Sequence, residues 1–127
     1  MGHVSATLQG GTGSAVGEVR LANTGAANCL LRGAPLVRLY TAGGQMLPVR
    51  NIGQAAQAAR RLLVRPGETA VSHIAWGNGC HLSGNADSIE IDWPGGSATT
   101  RVRGTDMPRC DAPGVKSHVS STHFATA

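Results

Sequence analysis

The sequence predicts an all-β fold: an antiparallel β-sandwich of about eight short strands. Three observations predict it. Apolar and polar residues alternate in short runs along most of the chain, the period of a half-buried strand. Turn formers separate those runs, with 18 Gly and 6 Pro in 127 residues. Cys29 and Cys80 each end a strand-like run, a placement that suits one bridge between two sheets. The length allows a single domain over residues 1–127, with a core over about 4–119 and a polar C-terminal tail at 120–127.

Val4, Ala6 and Leu8 alternate with polar residues and give a first strand. Gly10 to Ser14 is a turn. Val16 to Asn23 alternates next, with Val19 and Leu21 as core residues, and Cys29-Leu30-Leu31 resumes after a break. Leu36 to Tyr40 is a strand, and Thr41 to Gln45 closes a hairpin to Met46–Val49. Asn51 to Ala59 is the one helix-compatible piece, expected as a turn or two, or a loop. Arg61 to Val64 is a strand, and Arg65-Pro66-Gly67-Glu68 places Pro and Gly at the favoured centre of a tight turn. Thr69 to Trp76 follows. Ile89, Ile91 and Trp93 share one face of a further strand, with Glu90 and Asp92 on the other. Pro94 to Ser97 turns the chain into Ala98–Val102, and Val115, Ser117 and Val119 recur at strand spacing.

The net charge of +4 comes from 11 Lys and Arg against 7 Asp and Glu. All the basic residues but Lys116 are Arg, and they are spread along the chain. Nucleic-acid binders cluster such residues and interleave stacking aromatics, whereas here the aromatics are Tyr40, Trp76, Trp93 and Phe124. Solvated strand faces are expected, with no nucleic-acid partner. No stretch approaches the roughly 18 apolar residues of a membrane span. No signal peptide is legible: His3 and Val4 run straight into the strand pattern, so an export signal is expected upstream or not at all.

The chemistry-bearing residues do not assemble into a known catalytic pattern. His3, His73, His81, His118 and His123 fit neither CxxC nor HExxH spacing, so no metal and no cofactor is expected. No Gly-x-Ser-x-Gly elbow appears, and Cys110-Asp111 with His118 or His123 is a weaker reading than a leftover framework cysteine. Glu90 and Asp92 read as the solvated face of their strand rather than an acid/base pair. The glycine runs at 10–13 and 95–96 lack the Lys-Ser/Thr and the helix of a phosphate loop. The protein is therefore expected not to be an enzyme.

Several pieces in order resemble a bacterial domain-of-unknown-function family, found mostly in actinobacterial secreted proteins and lipoproteins, with an immunoglobulin-like sandwich. They are Leu21-Ala22-Asn23-Thr24-Gly25, Cys29 to Pro35, Val37 and Leu39 with Gly43-Gly44, and Val64 to Ala70. Trp76 with Cys80, Ile89-Glu90-Ile91 and Cys110 complete the order, over roughly residues 4 to 119. The family typically carries four cysteines, the first near the opening strand, and this chain has 3. That departure pairs Cys29 with Cys80 and leaves Cys110 without an intrachain mate, as a buried thiol or an intermolecular link; Cys29–Cys110 and Cys80–Cys110 stay open. On the first pairing, the closed loop of about 50 residues stabilises by about 4 kcal/mol, with Trp76 packed on the bridge.

The resemblance implies location and fold but no reaction. The expected function is a non-catalytic extracytoplasmic module for binding, adhesion or spacing at a bacterial surface, secreted or surface-held in an oxidising compartment. Its protein or cell-surface partner is unspecified, and Cys110 leaves room for a homo-oligomer. The competing reading is a structural component of a phage particle or other assembly, a capsid decoration or tail protein in the virion, for which export is not needed.

Overall fold

The computed structural model describes residues 2–10, 14–103 and 107–127. Strands β1 (His3–Gly10) and β2 (Ser14–Ala22) pair antiparallel, from His3 opposite Ala22 to Gly10 opposite Ala15. The glycine turn expected between them falls on 11–13, outside the described residues. Two short strands follow, β3 (Cys29–Arg32) and β4 (Leu36–Tyr40), then β5 (Val49–Ile52), a 3-10 turn at Gln54–Gln57 and β6 (Arg61–Val64). The second half holds β7 (Thr69–Gly77), β8 (Ser88–Trp93), β9 (Gly96–Arg103), β10 (Ser117–Ser121) and β11 (Ala125–Thr126).

The all-β expectation holds, and the strands join into one mostly antiparallel, near-closed, barrel-like sheet. Its order is β4-β8-β9-β1-β2-β7-β10-β5, with β11 added on β7. Two contacts are parallel, β1 with β9 and β10 with β5. Strand β1 is the joint: one edge meets β2 and the other meets β9. A separate ribbon of β3 and β6 lies outside this path.

The alternation read from the sequence places the core. Ala15, Val19 and Leu21 of β2 point inward, as do Ala70, Ile74 and Trp76 of β7 and Ile89 and Ile91 of β8. Each large apolar side chain buried this way contributes about 1.5–3 kcal/mol. Trp76 is fully buried and its indole N–H donates to Ser117 Oγ at 2.8 Å, so its polar atom is satisfied. The turn at residues 65–68 forms as expected: Glu68 N–H donates to Arg65 O at 3.0 Å, and Gly67 takes the positive φ of 85°.

Two expectations change. The hairpin from β4 to Met46–Val49 shrinks to one bridge between Tyr40 and Met46. Beyond Pro48 the chain leaves β4 and runs along β10 instead. Residues 120–127, expected as a tail, are part of the fold. Ser120 and Ser121 lie in β10, and Ala125 and Thr126 pair with Val71 and Ala70. Phe124 is buried, its ring meeting Trp93 edge-on at a centroid distance of 6.4 Å. Thr122 ties the same segment to β7: its N–H donates to His73 O, and its Oγ1 accepts from His73 N–H, each at 2.9 Å.

Candidate functional site

The chain corners sharply after β7, and that corner carries the disulfide. Asn78 adopts φ 55° and His81 φ 63°, the left-handed region in which Asn is among the better-tolerated residues. Buried Asn78 uses its whole side-chain amide on the segment after β9. Its Nδ2 donates to Ala112 O (3.1 Å) and Val115 O (2.8 Å), and its Oδ1 accepts from Asp111 N–H (3.1 Å) and Ala112 N–H (2.9 Å). Gly79 N–H donates to Arg109 O at 2.8 Å. The backbones come so close here that a Cβ on Gly79 would collide with Pro108 O.

This docking brings the Cα atoms of Cys80 and Cys110 to 4.4 Å, and the two cysteines form the disulfide. The pairing of Cys29 with Cys80 is thus corrected, as is the reading of Cys110 as an odd thiol. The reason is the chain path. Cys29 stands opposite Val64 in the β3–β6 ribbon, outside the bridge, whereas Asn78 folds the 109–115 segment directly onto Cys80. The bridged loop has a separation of 30 residues. Closing it stabilises by about 3–4 kcal/mol on the chain-entropy argument.

The outward face of β4 and β8 carries an ion cluster. Arg38 pairs with Asp92 and lies 3.9 Å from Glu90, and Tyr40 Oη–H donates to Glu90 Oε1 at 2.8 Å. The bond to Glu90, more than burial, pushes the Tyr40 phenol above its ordinary pKa. Glu90 and Asp92 do share the solvated face, held by Arg38. The histidines do not converge. His73 is exposed on β7, His81 Nε2 meets Pro113 O, and His123 Nδ1 meets Gln57 Oε1 at 2.8 Å. Among the described residues no group of three or more His, Cys, Asp or Glu is arranged to hold a metal.

A largely apolar hollow lies beside that cluster. Half-buried Trp93, at the end of β8, and Pro94 form its wall, exposed Leu36 and Ala55 add apolar surface, and Arg32 and Asp92 flank it. The hollow measures about 710 Å³. A second, more polar hollow of about 720 Å³ lies over β2, β7 and β10, where Val16, Glu18, His73 and Ser120 face out. Trp93 packs against the core on the face of Ile89 and Ile91, as the alternation places it, but it is only half-buried. Its place at the strand end, next to Pro94-Gly95, was the available signal that it stands at a rim. No helix of the described residues is long and apolar enough to cross a membrane.

No curated protein and no solved structure matches the chain. A family described as "Domain of unknown function (DUF4232)" matches residues 2–124. The braced corner, the sheet path from β4 to β5 and the Trp93 hollow all fall within that match, and the chain belongs to the DUF4232 family.

Proposed function

We propose that the protein is an immunoglobulin-like binding module that works outside the cytoplasm, at a bacterial surface, without catalysis of its own. The observation that carries this reading is the Cys80–Cys110 bridge, with Cys80 buried and Asn78 locked around it. A structural disulfide at a domain corner suits an oxidising compartment. The immunoglobulin-like comparison is supported by β1, which links the β2–β7–β10–β5 half to the β9–β8–β4 half across a shared core. Binding rather than catalysis is supported by how the charges are used. Arg38 of β4 holds Glu90 and Asp92 of β8, Arg20 holds Glu18 on β2, and Arg101 of β9 lies 3.5 Å from Asp87 just before β8, so these carboxylates are paired in three separate places rather than converging on one.

The test is thiol labelling with intact mass on protein freshly isolated from its native host, before and after reduction. One labelled thiol per chain, rising to three on reduction, is the expected result. Three labelled thiols without reduction would show that the native compartment is reducing, and the extracytoplasmic reading would fall.

A further inference from the structure

The β3–β6 ribbon has two strands and hence two outer edges, and the edge of β3 is the one with hollows beside it. Gly33 N–H donates to Arg60 O at 2.7 Å, which sets the parity of the antiparallel ladder. Leu31 faces Leu62 across the bonded positions, so the N–H and C=O groups of Leu30 and Arg32 point away from β6. Among the described residues none of these four groups has a hydrogen-bond partner. Two hollows, of about 420 and about 710 Å³, run along this side of β3 from Leu30 past Arg32, and no residue of β6 lines either. Both are walled on the far side by Trp93 and Pro94.

The side chains beside the edge are unusual for an unoccupied surface. Leu30 and Leu63 stand directly opposite each other and are 46% and 48% exposed. Arg32 and Arg61 are the next outward pair, like charges placed face to face. Like charges at directly opposed positions destabilise a ribbon. Neither guanidinium has a carboxylate in ion-pair range among the described residues, and the nearby Asp92 is held by Arg38. A charge can protect a strand edge from aggregation, but here it sits beside two exposed leucines that would undo the protection.

We infer that the open edge of β3 binds an extended, acidic segment of a partner protein, which adds as a strand between β3 and the Trp93-Pro94 wall. The main-chain groups of Leu30 and Arg32 supply the hydrogen bonds. Alternate apolar side chains of the segment enter the Trp93 hollow, and its carboxylates lie over Arg32 and Arg61. This deepens the binding-module reading and rests on it, but the two fail separately, because the thiol count is independent of any peptide.

The probe is a blocked octapeptide alternating Val and Glu, titrated into the 15N-labelled protein; the control replaces Glu by Lys. The expected result is saturable shifts at the Leu30 and Arg32 amides and the Trp93 indole, with the Lys peptide inert. Arg32→Glu is expected to weaken binding by about tenfold or more. Leu30→Pro removes an N–H that β6 does not use, so the fold survives and binding is lost. Binding by the Lys peptide, shifts centred away from β3, or unchanged binding by folded Leu30→Pro overturns the proposal. So does response of the same amides to phosphatidylglycerol vesicles but not to the peptide, or their occupation by a second copy of the chain on raising protein concentration.

Discussion

The side chain of Asn51 takes the place of a strand against Val37. Its Oδ1 accepts from Val37 N–H at 2.8 Å, and its Nδ2 donates to Val37 O at 2.9 Å. Asn51 lies on β5 and Val37 on β4, the two ends of the sheet path, so this amide closes the barrel where no backbone ladder does. The contact belongs to a wider seam. Gln54 Nε2 donates to Asn51 Oδ1 and to Ser121 Oγ, and Ser121 Oγ–H donates to Pro35 O.

Asn51→Ala is expected to destabilise the protein by about 2–3 kcal/mol, because it strands both main-chain groups of Val37 at the seam. Asn51→Asp keeps the acceptor and loses the donor, so it is expected to fall between wild type and alanine near neutral pH. Urea unfolding of the three proteins checks the order. Equal stability of wild type and Asn51→Ala would mean that the seam is already open in solution.

Asn78 is the second amide to test. Asn78→Ala loses four hydrogen bonds and places a Cβ residue without side-chain compensation at φ 55°. The expected cost is about 3 kcal/mol or more. Asn78→Gly relieves the backbone but not the bonds, so it is expected to recover part of that loss. Oxidative refolding is the sharper readout: without Asn78 the 109–115 segment no longer docks on Cys80, and the Cys80–Cys110 bridge is expected to form more slowly than in wild type.

Local patterning in the sequence accounts for what was legible and what was not. Alternation alone places Val19, Leu21, Ile89 and Ile91 in the core, because burial on one face of a strand is a period-two property of adjacent residues. The disulfide is set instead by the Asn78 amide and a segment some thirty residues later, a relation that no local window contains. The same holds for Phe124: its polar neighbours suggest a tail, and its partner Trp93 is remote in sequence. The seam at Asn51 and the open edge of β3 follow from sheet order, which is a property of the whole topology.

Tyr40 offers a clean optical titration because it is the single tyrosine. Its hydroxyl donates to the Glu90 carboxylate, which raises its pKa above the ordinary 10.0. The raised value favours the protonated phenol in the fold. The stabilisation it supplies is therefore full below the unfolded pKa of 10.0 and is lost as pH rises through the higher folded value. The tyrosinate absorbance is expected to rise with a midpoint above 10.0, and Glu90→Ala is expected to bring that midpoint down. An unchanged midpoint in Glu90→Ala would break the assignment of the hydrogen bond.

The three cysteines separate by substitution. Cys110→Ser opens the bridged loop and is expected to lower stability by about 3–4 kcal/mol. Reduction of the wild type is expected to cost the same, since both release the same loop. Cys29→Ser lies outside the loop and is expected to keep the disulfide, so its intact mass still rises on reduction and alkylation by two added groups. The crossed comparison is decisive: reducing Cys110→Ser is expected to leave its unfolding midpoint unchanged, whereas reducing Cys29→Ser is expected to shift it as in wild type. A Cys110→Ser protein that still forms an intrachain disulfide would show that Cys29 reaches Cys80 after all, and the docking of residues 109–115 by Asn78 would lose its role in choosing the pair.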